Sequence, residues 1–145
     1  MLIRIKRFDK TLPLPQYQTT GAAAIDLYSR EKILILPHQI AYIPLNVAIE
    51  LPKNYFVLIA ARSSLHKKGL MMANGIGIGD YDYRGDKDEY RAALLNFTDK
   101  PVEVLKGERV VQMLVLHQDR AEIAEVEKLT SPNRGGFGST GDQSE

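Results

Sequence analysis

The chain has 145 residues, which suits one domain with a hydrophobic core, and its 44% hydrophobic and 26% charged residues exclude a disordered or membrane-embedded chain. A net charge of +1 excludes the broad positive field that holds nucleic acid, so we expect no nucleic-acid partner. The sequence contains no cysteine, which excludes disulfides, thiolate metal sites and a cysteine nucleophile, so stability must come from packing or from association of copies.

The predicted elements are β-strands, because short or alternating apolar runs recur along the chain between turn signals. The runs span residues 2–8, 24–28, 32–36, 40–49, 55–60, 90–97 and 109–116. This spacing is typical of sandwiches and jelly rolls, and it predicts an all-β fold. The first run alternates apolar and charged residues, unlike the apolar block of a signal peptide, and no run reaches membrane-spanning length. We therefore expect a cytoplasmic protein without a membrane partner.

Polar side chains mark three places in or after these strands. Asp26 and Gln112 lie inside apolar runs, where a polar residue more often faces solvent or satisfies a neighbouring backbone group. The segment 61–65, Ala-Arg-Ser-Ser-Leu, follows a strand and begins a helical turn predicted at 63–68, which Gly69 ends. Its free N–H groups, two hydroxyls and guanidinium suit phosphate oxygens. The alternative is a serine cap beside a surface arginine.

The segment 75–89, GIGIGDYDYRGDKDE, combines four glycines with five acidic residues. A calcium loop is disfavoured, because arginines occupy the fifth and twelfth positions counted from Asp80. A dinucleotide fingerprint needs a helix after its last glycine, and this sequence indicates a hairpin instead. Such a hairpin would present Asp80 and Tyr83 into a pocket, with glycines allowing a ligand to approach the backbone. The alternative is a solvated acidic turn.

The segment from residue 131 onward is poor in apolar residues, so it cannot hold itself on a core. It includes Asn-Arg-Gly-Gly-Phe-Gly-Ser-Thr-Gly at 133–141. Its composition alone indicates a disordered terminus. A tail with this content can also close over a ligand, with Phe137 stacked on a base and Arg134 and the hydroxyls on phosphates.

Taken in order, five segments resemble the five motifs of the dUTP pyrophosphatase (dUTPase) family. They are residues 23–27, 62–64, 74–85, 108–112 and 134–141. The resemblance implies a distorted jelly roll of the β-clip type over residues 1–130, a C-terminal lid over 131–145, and a homotrimer with shared active sites. It also implies an enzyme that hydrolyses the phosphoric anhydride of dUTP to give dUMP and pyrophosphate, which keeps uracil out of DNA and supplies dUMP for dTMP synthesis.

The resemblance assigns roles to individual residues. Asp80 is similar to the general base that activates water for attack on the α-phosphorus. Asn74 and the backbone at Gly77 resemble the uracil-binding group, and Tyr83 resembles the ring beneath the deoxyribose. Triphosphate ligands from a neighbouring subunit are implied at Arg62, Ser63, Ser64 and Gln112. Lid contacts are implied at Arg134, Phe137, Gly138, Ser139 and Thr140. Asp26 resembles a supporting group near Mg²⁺, which the phosphates and waters hold without a direct protein ligand.

Three features depart from the family pattern. Gly79 stands where an aliphatic residue is more common, the segment 86–90 is about two residues longer than in many members, and Arg134 is three rather than five residues before Phe137. Two other functions suit the same fold. A dCTP deaminase would use a glutamate base, for which Glu89 is the nearby candidate, but would have another arginine at position 67. A noncatalytic regulatory module that binds nucleotides would lack the base or the lid.

Overall fold

The structure is a computed structural model that describes residues 1–136. Within that range the chain forms eleven β-strands and one 3₁₀ helix at Leu65–Lys68. The strands are β1 Arg4–Arg7, β2 Ile25–Tyr28, β3 Ile33–Ile35, β4 Ile40–Pro44, β5 Val47–Glu50, β6 Tyr55–Ala61, β7 Leu70–Met72, β8 Gly77–Gly79, β9 Arg91–Asn96, β10 Val102–Val104 and β11 Arg109–His117. The predicted all-β class is confirmed.

The strands form four antiparallel sheets within the described range. The largest has the order β2-β11-β6-β8, the second has the order β4-β9-β7, and β1-β5 and β3-β10 are pairs. Strand β11 lies between β2 and β6, so Gln112 is opposite Asp26 on one side and Ala60 on the other. Because paired strands lie about 4.8 Å apart, this register brings the two polar residues of the strands close together.

One hydrophobic core joins the sheets. Its fully buried side chains come from nine of the strands and include Leu27, Ile35, Ile43, Val57, Leu94 and Met113. Burial of such a side chain stabilises the fold by roughly 1.5–3 kcal/mol. The strands that carry the candidate functional residues are therefore fixed by the core and do not depend on a ligand for their position.

The predicted strand at 40–49 is two strands that belong to different sheets. The break falls at Asn46, whose φ of +66° lies in the left-handed region that asparagine adopts more readily than most residues. Its buried side chain exchanges two hydrogen bonds with the backbone of Asp9, at 2.6 and 3.0 Å. A continuous apolar pattern gave no sign of this turn, because the residues on both sides of it are buried.

The predicted hairpin at 75–89 is wrong. Strand β8 pairs with β6, whereas β9 pairs with β4 and β7, so the two arms of the expected hairpin belong to different sheets. Between them the chain makes successive turns, with the N–H of Tyr83 donating to the carbonyl of Asp80 at 3.1 Å. Gly77 and Gly79 therefore lie on β8, the edge strand of the four-stranded sheet.

The predicted helical turn is confirmed as the 3₁₀ helix, and Gly69 ends it with a φ of +82°. The predicted serine cap is wrong, because Ser64 precedes the helix without a side-chain capping hydrogen bond. Its backbone, with φ −97° and ψ −7°, is already helical rather than extended, and a helical residue does not aim its hydroxyl at the following N–H groups.

Residues 121–136 lie outside the strands and are exposed throughout. They include the apolar side chains Ile123, Val126 and Leu129, which are 92%, 58% and 78% exposed. The division into a domain at 1–130 and a lid at 131–145 stays a prediction. Among residues 1–136, no helix is long and apolar enough to cross a membrane.

Candidate functional site

A pocket of about 290 Å³ opens beside strand β8, and we call it the β8 pocket. Its lining includes three residues predicted for the nucleoside, Asn74, Gly77 and Tyr83, together with Gly79 and Tyr90. The remaining lining residues are Tyr42, Ile59, Ile78, Glu89, Arg91 and Ala93. This volume is near the lower end of the range for small-molecule pockets, and apolar walls with a few polar groups are typical of such sites.

Two glycines shape this pocket because larger residues would not fit. A Cβ on Gly77 would lie 3.1 Å from the Cβ of Ile59, and a Cβ on Gly79 would lie 2.4 Å from the hydroxyl of Tyr90. The second distance is shorter than any stable contact between such atoms. The Gly79 position that sequence reasoning left unexplained is therefore filled by the ring of Tyr90.

Tyr83 and Tyr90 pack edge to face in the same wall, with their ring centroids 5.3 Å apart. The Tyr83 hydroxyl donates to the carbonyl of Glu89 at 3.0 Å, which fixes the ring while 42% of the residue stays exposed. Tyr90 is only 5% exposed, and within residues 1–136 its hydroxyl has no hydrogen-bond partner. Burial, followed by the nearby Tyr83, Asp80 and Asp88, raises the pKa of Tyr90 to about 12.

A second group, which we call the Asp26 cluster, consists of Asp26, Arg62, Arg109 and Gln112. The Asp26 carboxylate accepts one hydrogen bond from Nε of Arg62 at 3.0 Å and another from Nη1 of Arg109 at 3.1 Å. Arg62 also donates to the backbone carbonyl of Arg109 at 3.1 Å, and Gln112 donates to that of Ala61 at 3.0 Å. Charged hydrogen bonds to Asp26 thus join β2 to β11 and to the residue that follows β6.

The Asp26 cluster borders a hollow of about 510 Å³ with a positive lining. Four cationic side chains, Arg62, Lys67, Lys68 and Arg109, face one acidic side chain, Glu108, which pairs with Lys68. Ser64 also lines the hollow, and neither it nor the exposed Ser63 makes a side-chain hydrogen bond within residues 1–136. A positive hollow with unengaged hydroxyls suits an anion with several oxygens, such as a polyphosphate.

Asp80 belongs to neither group. Although it follows Gly79, its exposed carboxylate is outside the lining of the β8 pocket and faces a separate depression with Tyr81, Asp82, Gln118, Asp119, Arg120 and Ala121. Its side chain makes no hydrogen bond to residues 1–136. The carboxylate is therefore accessible to water, as a general base must be.

The structure thus brings the predicted residues into two separate groups rather than one. Arg134 is exposed, and the predicted lid residues Phe137, Gly138, Ser139 and Thr140 lie outside the described residues. Two residues that sequence reasoning missed also belong to the groups, Arg109 and Tyr90. Arg109 follows the recognised Glu108, but a β-bulge between residues 109 and 111 breaks the alternation that would have assigned it to a face.

The described residues contain no group of three or more His, Asp or Glu side chains arranged to hold a metal ion. Asp26, the acidic residue expected near the metal, already uses both oxygens to accept from arginines. Direct ligation by Asp26 would break these ion pairs. Contact through a water molecule would leave them intact, so the residues present fit the supporting role better than the ligand role.

An all-β fold with a small-molecule pocket and a positive hollow is typical of a protein that binds a ligand with an anionic end. A family model described as dUTPase matches residues 10–141. A curated relative from Hydrogenobaculum sp. is 37% identical over 97% of this chain and 99% of its own length, and one from Dictyoglomus turgidum is 42% identical over 96% and 97%. Both are named deoxyuridine 5'-triphosphate nucleotidohydrolase.

Solved structures agree with this match. The dUTPase from Streptococcus mutans is 28% identical with a TM-score of 0.74, covering 81% of this chain and 98% of its own. The dUTPase of Staphylococcus bacteriophage 80alpha, solved with dUPNHPP, has a TM-score of 0.84 over 97% of this chain and 98% of its own, and at 23% identity it shows the likeness of fold. This chain belongs to the dUTPase family, and the predicted jelly roll and nucleotide hydrolase class are confirmed.

Proposed function

We propose that this protein hydrolyses dUTP to dUMP and pyrophosphate, with Asp80 as the general base. The observation that supports the proposal most strongly is the pairing of two complementary groups on one chain. The β8 pocket has the volume and the mixed apolar and polar lining for a nucleoside. The positive hollow has the charge for a triphosphate. The names of the full-length relatives favour dUTP as the ligand that joins both.

The chemistry that this site needs is positioning and charge neutralisation more than covalent catalysis. In the proposed reaction Asp80 accepts a proton from water as the water oxygen bonds to the α-phosphorus, and the α–β anhydride bond breaks to release pyrophosphate. Its exposed carboxylate, without a side-chain partner in residues 1–136, is available to orient that water. No nucleophilic side chain is required.

The two groups support a site shared between copies of the chain. The residues that line the β8 pocket and those that line the positive hollow have no member in common. We propose that a nucleotide draws its nucleoside contacts from the β8 pocket of one copy and its phosphate contacts from the hollow of another. This division is what a homotrimer with shared active sites predicts.

Mg²⁺ is proposed as the cofactor, held by the triphosphate and waters with Asp26 nearby. When bound, it would supply positive charge to the phosphate oxygens. The arginines and lysines of the hollow contribute the rest of the neutralisation from the protein side. The lid formed by Arg134 and residues 137–140, and the cytoplasmic location expected from the sequence, stay predictions.

The buried position of Glu89 disfavours the deaminase alternative. Its carboxylate accepts from Nε and Nη2 of Arg30 at 2.7 and 3.0 Å, and from the N–H of Asn46 at 3.1 Å. A base that must take a proton from water or substrate cannot remain in this bidentate ion pair. The residue has a structural role here, because it joins the turns after β2 and before β5 to the segment before β9.

The test is an assay of pyrophosphate release from dUTP, dCTP, dTTP and UTP with magnesium, comparing the wild type with Asp80→Asn. We expect activity mainly with dUTP and a loss of about 3 kcal/mol in barrier reduction, roughly 150-fold in kcat, for the variant. Asp82→Asn is the matched control, because Asp82 is an exposed acid of the same turn and should leave the rate unchanged. An Asp80→Asn protein as fast as the wild type contradicts the mechanism, and ammonia release from dCTP contradicts the function.

A further inference from the structure

Gly79 and Tyr90 form one structural unit. The backbone of Gly79 does not adopt a left-handed conformation, so any residue could take its φ angle. What excludes a side chain is the Tyr90 ring, whose Oη, Cε1 and Cζ lie 2.4, 2.5 and 2.8 Å from where a Cβ would be. The Tyr90 ring therefore accounts for the glycine at 79.

The Tyr90 hydroxyl is a hydrogen-bond donor that residues 1–136 leave unused. It is protonated at neutral pH, since its surroundings raise the pKa of Tyr90 to about 12. It is buried, and the rest of the described chain gives it no partner. A phenylalanine would fill the same space without this cost, so a retained hydroxyl in a native structure calls for an explanation.

The place of this hydroxyl indicates a ligand. Tyr90 lines the β8 pocket and contacts Tyr83 edge to face, while Gly79, whose missing side chain leaves room for the hydroxyl, lines the same pocket. Tyr83 is the ring proposed to lie under the sugar, and Asn74, proposed to bind the base, is a separate part of the lining. The ring of Tyr83, 42% exposed and held by its hydrogen bond to the carbonyl of Glu89, is the more exposed of the two rings in this wall.

We propose that Tyr90 is a specificity-determining residue of the β8 pocket, whose hydroxyl donates a hydrogen bond to the 3′-hydroxyl oxygen of a bound 2′-deoxynucleotide. This inference rests on the proposed function, because it takes the nucleoside to be the occupant of this pocket. The 3′-hydroxyl is the only hydroxyl on such a sugar. Its oxygen accepts from Tyr90, and its own proton remains free for a backbone carbonyl or water.

The experiment pairs a change in the protein with the matching change in the ligand. Calorimetry gives the dissociation constants of dUMP and of 2′,3′-dideoxyuridine monophosphate for the wild type and for Tyr90→Phe. We expect the wild type to prefer dUMP by about 10-fold or more, and the variant to reduce that preference to about 2-fold or less. Binding is used instead of turnover so that the result does not depend on catalysis.

Two controls keep the result specific. Tyr55→Phe removes a hydroxyl outside the pocket, from a ring that packs edge to face on His117 at 5.2 Å, and should leave the dUMP preference unchanged. The melting temperature of free Tyr90→Phe should equal or exceed that of the wild type, because the lost hydroxyl has no partner in the described part of the chain, residues 1–136. A fall of more than about 3 °C would mean that the hydroxyl has a structural partner, and would overturn the proposal.

An unchanged preference for dUMP in Tyr90→Phe also overturns the proposal. Failure of the proposed function would look different, because the same preparation of wild-type protein would release no pyrophosphate from dUTP. If the wild type releases no pyrophosphate from dUTP but prefers dUMP, and Tyr90→Phe loses that preference, the result would support the role of Tyr90 and reject the hydrolysis.

Discussion

The Asp26 cluster is held by charged hydrogen bonds that join β2 to β11 and to the residue after β6, whereas the β8 pocket is shaped by two glycines and two tyrosines. In the cluster, both carboxylate oxygens of Asp26 are paired with arginines before any ligand binds. In the pocket, one tyrosine is half-exposed and the hydroxyl of the other has no partner among residues 1–136. The region for phosphate is therefore organised in advance, and the region for the nucleoside is left to be completed by its ligand.

This difference suits the two ends of a nucleotide. A triphosphate is bound mainly by electrostatic attraction. Cationic side chains that are already held in position attract it most strongly where the surroundings have a low dielectric constant. A base and sugar are recognised by shape and by single hydrogen bonds, where an unsatisfied donor discriminates strongly between ligands with and without the matching acceptor.

The largest expected effect tests whether the two regions of one site come from different copies. Asp80→Asn and Arg62→Ala proteins should each fall to about 1% of wild-type activity or less. When the two are co-expressed with different tags and isolated as mixed trimers, one site in three should combine an intact Asp80 with an intact Arg62, so about a third of the activity should return.

The control for this experiment is a mixture of the two proteins that were folded separately and cannot exchange subunits. That mixture should show only the average of the two parents. Mixed oligomers that are equally inactive would contradict the shared site, since they would mean that one copy supplies both residues.

A smaller effect concerns the stability of the Asp26 cluster. Asp26→Ala leaves the Arg62 and Arg109 guanidiniums close together without their shared carboxylate. We expect the free energy of unfolding to fall by about 3 kcal/mol. This is the low end of the range for loss of one partner of a buried ion pair, because both arginines are partly exposed. Urea denaturation gives the value. Glu103→Ala is the matched control, because its exposed ion pair with Lys32 at 2.8 Å should contribute less than about 0.5 kcal/mol. Equal losses of unfolding free energy would show that the Asp26 ion pairs stabilise the protein no more than the surface pair does.

The smallest effect concerns the steric limit in the β8 pocket. Gly79→Ala places a methyl group 2.4 Å from the Tyr90 hydroxyl, and should cost about 2 kcal/mol of stability through overpacking and weaken dUMP binding. Gly21→Ala is the control, since a Cβ there meets no heavy atom within 4 Å. Its stability should stay within about 0.5 kcal/mol of the wild type. A Gly79→Ala protein as stable as Gly21→Ala would mean that the tyrosine ring moves freely, and the pocket would then not be sterically fixed.

The sequence predicted the longer strands because alternation of apolar and polar residues is a local property. It did not predict β8, since two of the three residues of that strand are glycines and give no apolar signal. The pairing of β8 with β6 rather than β9 depends on contacts distant in the chain, which no local pattern contains. The position of Asn46 is a similar case, because its left-handed turn lies inside a fully buried run.

The candidate site was predictable in composition but not in arrangement. Asp26, Arg62 and Gln112 were recognised from their motifs, and the strand register that joins them became visible only with the fold. Tyr90 was missed because nothing in its own segment marks it. Its importance follows from Gly79, eleven residues earlier, and the contact between them exists only in three dimensions.

The contact between Gly79 and Tyr90 restricts the order in which the two positions can evolve. A side chain larger than alanine cannot be added at 79 while the tyrosine ring occupies that space, so a change to a bulky residue there requires residue 90 to be reduced first. That step opens a cavity, which for an aromatic residue costs roughly 3–5 kcal/mol until a larger residue at 79 refills it. A lineage must cross this less stable intermediate in either direction, so the pair should change rarely and should divide descendants of the two arrangements into separate branches.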